Sequence, residues 1–155
     1  MCMTMRLTRS SEDYLEAIYL LIQEKGYARP KDIAAHLSVT SPSVTDMVKR
    51  LTDEGLAVYE RYGMVTLTPR GEKIARDMKT RHDTIAKMLR ILLVPDEIAR
   101  KDACEIEHNL DPATVEQFRN FVRFMECLPE EPRWVQNFKE YCRTGVAPKC
   151  KRMKG

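Results

Sequence analysis

Among the many side chains of types that bind transition metals, six could act together as one donor set, most of them in groups at helical spacing. Cys104, Glu107 and His108 fall at i, i+3 and i+4, so all three project from one side if the segment is helical. Asp13 and Glu16, at i and i+3, share a face in the same way, and His82 stands between the two groups in the chain. Carboxylates, imidazoles and a thiolate together make a donor set for a divalent transition metal. Each fragment also has a plainer reading. Asp13 and Glu16 could complement the positive end of a helix, and His82, beside Arg81, could be an ordinary surface residue. The run Cys-Glu-Ile-Glu-His over 104–108 carries the most weight. An enzyme using the same donors, such as a small metallohydrolase, is the weakest reading. No nucleophile elbow or phosphate-binding glycine loop accompanies the donors, and six glycines leave little room for one.

The elements that must position these residues are mostly helices. Ser10 or Ser11 can cap a first helix in which Tyr14, Leu15, Ile18, Leu21 and Ile22 recur at helical spacing until Gly26. Pro30 opens a short second helix with Ile33, Ala34 and Leu37 on one face, ending in the turn Ser38-Val39-Thr40. Ser41 is suited to cap a third, with Pro42 at its first position, where a missing N–H costs nothing. Val44, Met47, Val48 and Leu51 then form one buried stripe up to Gly55. Two short β-rich stretches, 56–61 and 64–68, flank Tyr62-Gly63, a two-residue hairpin signal. From Pro69 a helical pattern of about 25 residues runs through Ile74, Met78, Ile85 and Leu89 to Leu92, and Pro95 stops it. Further helices are expected over 96–109, 112–127 and 131–143, followed by a basic tail over 146–155. The stretch Val115, Phe118, Val122, Phe124 and Met125 reads either as a seam between two copies or as core.

Two helices, a tight turn, a helix and a hairpin constitute a winged helix-turn-helix, whose third helix enters the DNA major groove while the hairpin follows the backbone. Ser41, Ser43, Thr45 and Lys49 escape the apolar stripe, and Pro42 begins the helix; short hydroxyls and a cation suit phosphates, base edges and thymine methyls. Arg29, Lys31, Arg50 and Arg61 are candidate phosphate contacts. The competing reading is that the helices and hairpin merely pack a core, with the hydroxyls solvated.

Charge distribution favours the nucleic-acid reading. The net charge is only +3, but residues 1–94 hold 15 Lys/Arg against 12 Asp/Glu while 95–155 hold 11 of each. No carboxylate occurs between Asp32 and Asp46, which leaves the start of the third helix open to an anion. Hydrophobic content of 43% and charge of 32% exclude a disordered or membrane-embedded class. No apolar run approaches the roughly 18–20 residues that span a bilayer. The start MCMTMRLTRS lacks a signal peptide's apolar core, so the expected compartment is the cytoplasm, without a membrane partner. The five cysteines then read as reduced thiols. Cys127, Cys142 and Cys150 cluster near the C-terminus; such helix-end cysteines are commonly small buried hydrophobes, a zinc or redox site being the alternative. Cys2 takes no role.

The segments S-E-D-Y-L-E-A-I-Y-L-L-I-Q-E-K-G-Y-A-R (11–29), V-T-S-P-S-V-T-D-M-V-K-R-L (39–51), L-T-P-R-G (67–71) and I-E-H (106–108) resemble the metal-dependent repressors of the diphtheria toxin repressor family, and most closely its manganese transport regulator branch. The resemblance runs in register from about Ser10 to Leu110. It implies a mainly α fold, with an N-terminal winged helix-turn-helix carrying a two-stranded wing (1–72) and an all-helical metal-binding and dimerisation domain (73–145). It also implies a homodimer that grips a palindromic double-stranded operator when a divalent metal is bound between the two lobes, so repressing metal-uptake genes. The branch's ligands fall on Asp13, Glu16, His82, Glu107 and His108. Cys104 departs from it: the manganese regulators have glutamate there, whereas iron-type members have cysteine but usually place methionine at the position of Asp13. The site is a hybrid. Mn²⁺ or Fe²⁺ is the expected ion, with Co²⁺, Ni²⁺ or Zn²⁺ able to enter in vitro, because thiolate is softer than carboxylate. Ala86 and Arg100 leave the iron-type second site incomplete, and the chain is too short for that branch's SH3-like domain. A different winged helix regulator, sensing an oxidant or small ligand through Cys104 without any metal, is the rival reading.

Overall fold

The computed structural model describes residues 7–147. Cys2, Cys150 and most of the basic tail lie outside them. The described residues form seven α-helices and two short strands, in two compact units that divide between Arg81 and His82.

The first unit starts with α1 (Arg9–Lys25), which begins one turn earlier than the sequence pattern suggests. Thr8, not Ser10 or Ser11, is the cap: its hydroxyl accepts from the Ser11 N–H at 3.2 Å. Ser11 is thereby placed inside the helix, fully buried, with its own hydroxyl directed to the Met47 sulfur at 3.8 Å. Tyr14, Leu15, Ile18 and Leu21 form the buried face of α1, as their spacing requires. Helix α2 (Pro30–Leu37) supplies Ile33 and Ala34, and α3 (Ser41–Asp53) supplies Val44, Val48 and Leu51 to the same core. Ser38 turns the chain between α2 and α3 in the left-handed region, φ 55°. Thr40 takes the cap position expected of Ser41, which becomes helical, and α3 stops two residues short of Gly55.

Strands β1 (Ala57–Tyr59) and β2 (Val65–Leu67) pair antiparallel, with Val58 opposite Thr66. They are shorter than expected, and the loop holds three residues rather than two. Tyr62 and Gly63 do take the left-handed φ of 72° and 75° that a tight hairpin needs. Arg61 joins them in a 3₁₀ turn closed by the Glu60 N–H donating to the Met64 carbonyl at 2.7 Å. Ala28 adds a third rung on the far side of β2, its carbonyl accepting from Val65 at 2.8 Å.

Helix α4 (Pro69–Ile91) is locked to the wing by Thr68 and Gly71. The Thr68 hydroxyl donates to the Gly55 carbonyl at 2.8 Å and accepts from the Gly71 N–H at 3.1 Å, while its own N–H donates to Leu56 at 3.0 Å. Gly71 packs so tightly on that strand that a Cβ would stand 1.9 Å from the Leu56 carbonyl oxygen.

The second unit comprises the rest of α4 with α5 (Asp96–Ile106), α6 (Pro112–Glu126) and α7 (Arg133–Thr144). Ile85, Ala86 and Ala103 form its buried centre, with Leu89, Leu110 and Phe118 packed on them. Val115 and Val122 are also buried within this unit, so most of the suggested seam serves the chain's own core; Phe124, 59% exposed, points outward. Helix α7 starts later than expected because Pro132 occupies its cap and holds Glu131 out of helical geometry. Phe121 and Trp134 join α6 to α7, their ring centroids 6.3 Å apart. Among the described residues no helix is long and apolar enough to cross a membrane.

The Gly71 contact is with backbone, which cannot swing aside. We expect Gly71→Ala to destabilise the protein by about 2–3 kcal/mol, the scale of core overpacking. Gly26→Ala, at φ 79° but with open space around it, should cost only about 1 kcal/mol. Urea midpoints of the two variants measure the difference, and equal midpoints would contradict the close approach.

Candidate metal centre and nucleic-acid interface

Glu107 is the one acidic side chain in the buried interior among the described residues, at 1% exposure. It occupies the C-cap of α5, still with helical φ and ψ, and its N–H donates to the Ala103 carbonyl at 2.9 Å. Helical geometry therefore continues just far enough past Ile106 to keep Glu107 one turn from Cys104. Imidazoles flank the carboxylate on both sides. Its Oε2 lies 3.3 Å from Nδ1 of His82 on α4, and its Oε1 lies 3.4 Å from Nε2 of His108. His108 is 5% exposed and His82 20%. Burying a carboxylate costs several kcal/mol, and a structure tolerates that where the charge has a counterpart.

The structure thus brings together three of the six expected donors. Cys104, on the last turn of α5 ahead of Glu107 and His108, is exposed, so it is not a small core residue. Asp13 and Glu16 stand half-buried on α1 in the first unit, on either side of Tyr14 and Leu15, both inside the core. Burial raises the Tyr14 phenol above its ordinary pKa. The contacts at Glu107 are consecutive pairs. Among the described residues no group of three or more His, Cys, Asp or Glu forms a ready-made cage. The donor set nevertheless fits a divalent transition ion, since a buried carboxylate between imidazoles supplies the charge and the nitrogen ligands such an ion takes. Ala86 is a core residue and Arg100 pairs with Asp96 at 2.9 Å, so neither belongs to a second centre. Cys127 and Cys142 are exposed, against the expectation that they would be buried.

The expected DNA-contacting side chains all lie on the surface of the first unit: Arg29, Lys31, Ser41, Pro42, Ser43, Thr45, Lys49, Arg50 and Arg61 are exposed. Several are already engaged locally. The Ser43 hydroxyl bonds that of Thr40 at 2.8 Å, and Thr45 donates to the Ser41 carbonyl at 3.1 Å. Arg50 pairs with Glu54 at 3.1 Å, and the Arg29 guanidinium lies 5.1 Å from the Tyr27 ring centroid. Thr40 belongs to this surface too. Local sequence does not single it out, because Thr40 and Ser41 are both suited to cap a helix with Pro in its first turn.

The family model for the iron-dependent repressor N-terminal DNA-binding domain matches residues 6–65, and that for the iron-dependent repressor metal-binding and dimerisation domain matches 68–134. The chain belongs to the iron-dependent repressor family. It is 44% identical over 123 residues to the HTH-type transcriptional regulator MntR of Lysinibacillus sphaericus (strain C3-41), covering 79% of this chain and 88% of that one. The MntR of Bacillus subtilis (strain 168) is 41% identical over 119 residues, 77% and 84% of the two chains. Among solved structures, that of T. acidophilum IdeR superposes with a TM-score of 0.66 at 32% identity, and that of the manganese regulator SloR with 0.66 at 29%. These alignments cover 77% and 76% of this chain, which spans just 55% of the length of each of those structures. The repressor family gives no support to Cys104 as a metal-independent oxidant sensor.

A carboxylate buried to serve a ligand is not needed to hold the fold, and stability measurements test this for Glu107. We expect the triple variant His82→Leu, Glu107→Met, His108→Leu to have a metal-free urea midpoint at or above the parent's, because replacing a buried ionic cluster whole by apolar groups of similar size is often neutral or stabilising, whereas removing one partner alone is not. A loss exceeding about 1 kcal/mol would mean that the cluster holds the second unit together rather than serving a ligand.

Proposed function

We propose that this chain is a cytoplasmic repressor of metal-uptake genes that binds a palindromic operator as a homodimer when Mn²⁺ or Fe²⁺ is held by Asp13, Glu16, His82, Cys104, Glu107 and His108. The observation that carries the reading is Glu107: a carboxylate at 1% exposure, flanked by two imidazoles, in the region matched by the family's metal-binding and dimerisation model. Manganese is favoured by the names of the MntR and SloR relatives, and solved structures of ScaR with bound Zn²⁺ (30% identical) and Cd²⁺ (29% identical) support a site open to several divalent ions. Residues 1–72 supply the DNA-binding part and 73–145 the helical part.

When bound, the ion supplies positive charge that neutralises buried and half-buried carboxylates. The rest is done by the chain's own residues. His82 and His108 flank the Glu107 carboxylate at 3.3 and 3.4 Å, so two imidazoles and a carboxylate stand together for one ion. Asp13 and Glu16 sit on α1, whose inner face carries the core that α3 rests on, through Ser11 and Met47 among others. A ligand that orders α1 therefore acts on the support of the helix that enters the groove. Coupling of this sort is typically worth about 1–3 kcal/mol, or 5–150-fold in DNA affinity. Lys49, Arg50 and Arg61 then meet phosphates, while Ser41, Pro42, Ser43 and Thr45 face base edges.

The test uses a duplex selected by the parent protein from a random-sequence pool, titrated separately with manganese, ferrous iron, cobalt and zinc under anaerobic, reducing conditions. Asp13→Ala, Glu16→Ala and His108→Ala should each abolish metal-stimulated binding without unfolding the protein. Metal stimulation of DNA binding equal to the parent's in all three would overturn the ligand assignment. Cys104→Glu should lower the manganese midpoint relative to that for iron or cobalt, because carboxylate is a harder donor than thiolate. An unchanged order of metals would remove Cys104 from the site.

A further inference from the structure

Tyr62 is the most exposed large hydrophobic side chain among the described residues, at 93%, and its backbone stands in the left-handed region at φ 72° and ψ 17°. Gly63 next to it adopts φ 75° without steric cost, but a bulky residue there is strained. Such strain persists only where neighbouring groups impose it, and it concentrates where a side chain is presented for use. The neighbours here do impose it. The Glu60 N–H closes the loop on the Met64 carbonyl at 2.7 Å, the Thr66 hydroxyl donates to the Glu60 carboxylate at 3.1 Å, and the Tyr59 hydroxyl lies over Gly63, 3.7 Å from where a Cβ would stand. The loop is braced from beneath, yet its ring gains almost no burial in return.

The direction of presentation is set by α3. The Leu56 N–H donates to the Leu51 carbonyl at 2.8 Å, and α3 packs against β1, so helix and wing form one body within the first unit. Arg61, exposed beside Tyr62, gives the tip a positive charge, and no acidic side chain lies in the loop 61–63 itself.

We propose that Tyr62 is a DNA-backbone contact, its ring packing on a deoxyribose and its phenol O–H donating to a phosphate oxygen beside the groove that receives α3. This rests on the DNA-binding reading above. A phenol is neutral and displaces no counterion, so it positions the wing without adding to the salt dependence, whereas Arg61 contributes charge. Left-handed geometry is what lets a two-sided aromatic stand out from the tip rather than fold back on β1 or β2.

The experiment measures the affinity of metal-loaded parent, Tyr62→Gly, Tyr62→Phe and Arg61→Ala for the duplex selected by the parent, across a series of salt concentrations, with the urea midpoint of each. Tyr62→Gly should bind about tenfold more weakly with an unchanged salt slope. Its urea midpoint should equal or exceed the parent's, because glycine relieves the strained φ. Tyr62→Phe should fall between the two, and Arg61→Ala should lower the slope by about one unit. Parent-like affinity in Tyr62→Gly would overturn the tyrosine's role alone, and so would a loss of affinity accompanied by a lower urea midpoint, which would mark a structural residue. A metal-loaded parent that selects no duplex from the pool would overturn the DNA-binding reading and the tyrosine's role with it.

Discussion

Gly71 lies against the Leu56 backbone so closely that no side chain fits between them. Thr68 closes the same junction with five hydrogen bonds, three to the segment leading into β1 and two to α4. Three pieces are fixed at that point. Leu56 is tied through its N–H to the end of α3, β1 starts one residue later, and α4 starts one residue after Thr68. Because backbone contacts backbone, the junction cannot drift as side chains repack. The polar face of α3 and the wing tip thus keep one mutual orientation, which an extended docking surface needs, since each phosphate contact is useful only when the others are in register.

Glu107 shows the opposite economy. Ile85, Ala86 and Ala103 fill the centre of the second unit with aliphatic groups, yet a carboxylate is withdrawn from water in the same unit. A carboxylate withdrawn from water costs several kcal/mol unless its partners are well placed, and contacts of 3.3 and 3.4 Å to imidazoles are longer than the best charge-assisted bonds. A buried carboxylate flanked by two imidazoles has the charge and donor types of a ligand set for a divalent cation, which is why the proposed metal role rests on this residue more than on any other.

Sequence patterning made the helices legible because their apolar stripes are long: Leu15, Ile18 and Leu21 on α1, and Val44, Val48 and Leu51 on α3, are all buried where period 3.6 places them. Ends were less legible. Thr8 wins the cap from Ser10 and Ser11 because starting one turn earlier buries Ser11 against Met47, a contact 36 residues away that local pattern does not contain. The wing loop gained Arg61 for a similar reason, since the closing bond between Glu60 and Met64 depends on how β2 pairs with Ala28 on its far side. For the candidate centre, i, i+3, i+4 spacing put Glu107 and His108 on one helix side, but only the fold brings His82 against Glu107. Family resemblance, rather than spacing, singled out His82, Asp13 and Glu16 among many surface-type residues.

The groups proposed to meet DNA are not idle in its absence, and the magnitudes decide whether that matters. Arg50 is paired with Glu54 one turn along α3, its side chain 53% exposed. An exposed i, i+4 pair of this kind is worth about 0.3–0.5 kcal/mol. A phosphate contact releases a condensed counterion and forms a charge-assisted bond, so phosphate wins the guanidinium. Glu54, left behind, is at the C-cap of α3, where a negative charge near the carbonyl end is mildly unfavourable. The hydroxyls behave differently. Thr45 donates to the Ser41 carbonyl and Ser43 shares a bond with Thr40, which restricts their rotamers while both side chains stay exposed. Their ordering entropy is therefore already spent on folding rather than on binding. On the same helix, then, the cation must exchange one partner for a stronger one, while the hydroxyls present acceptors already held in place.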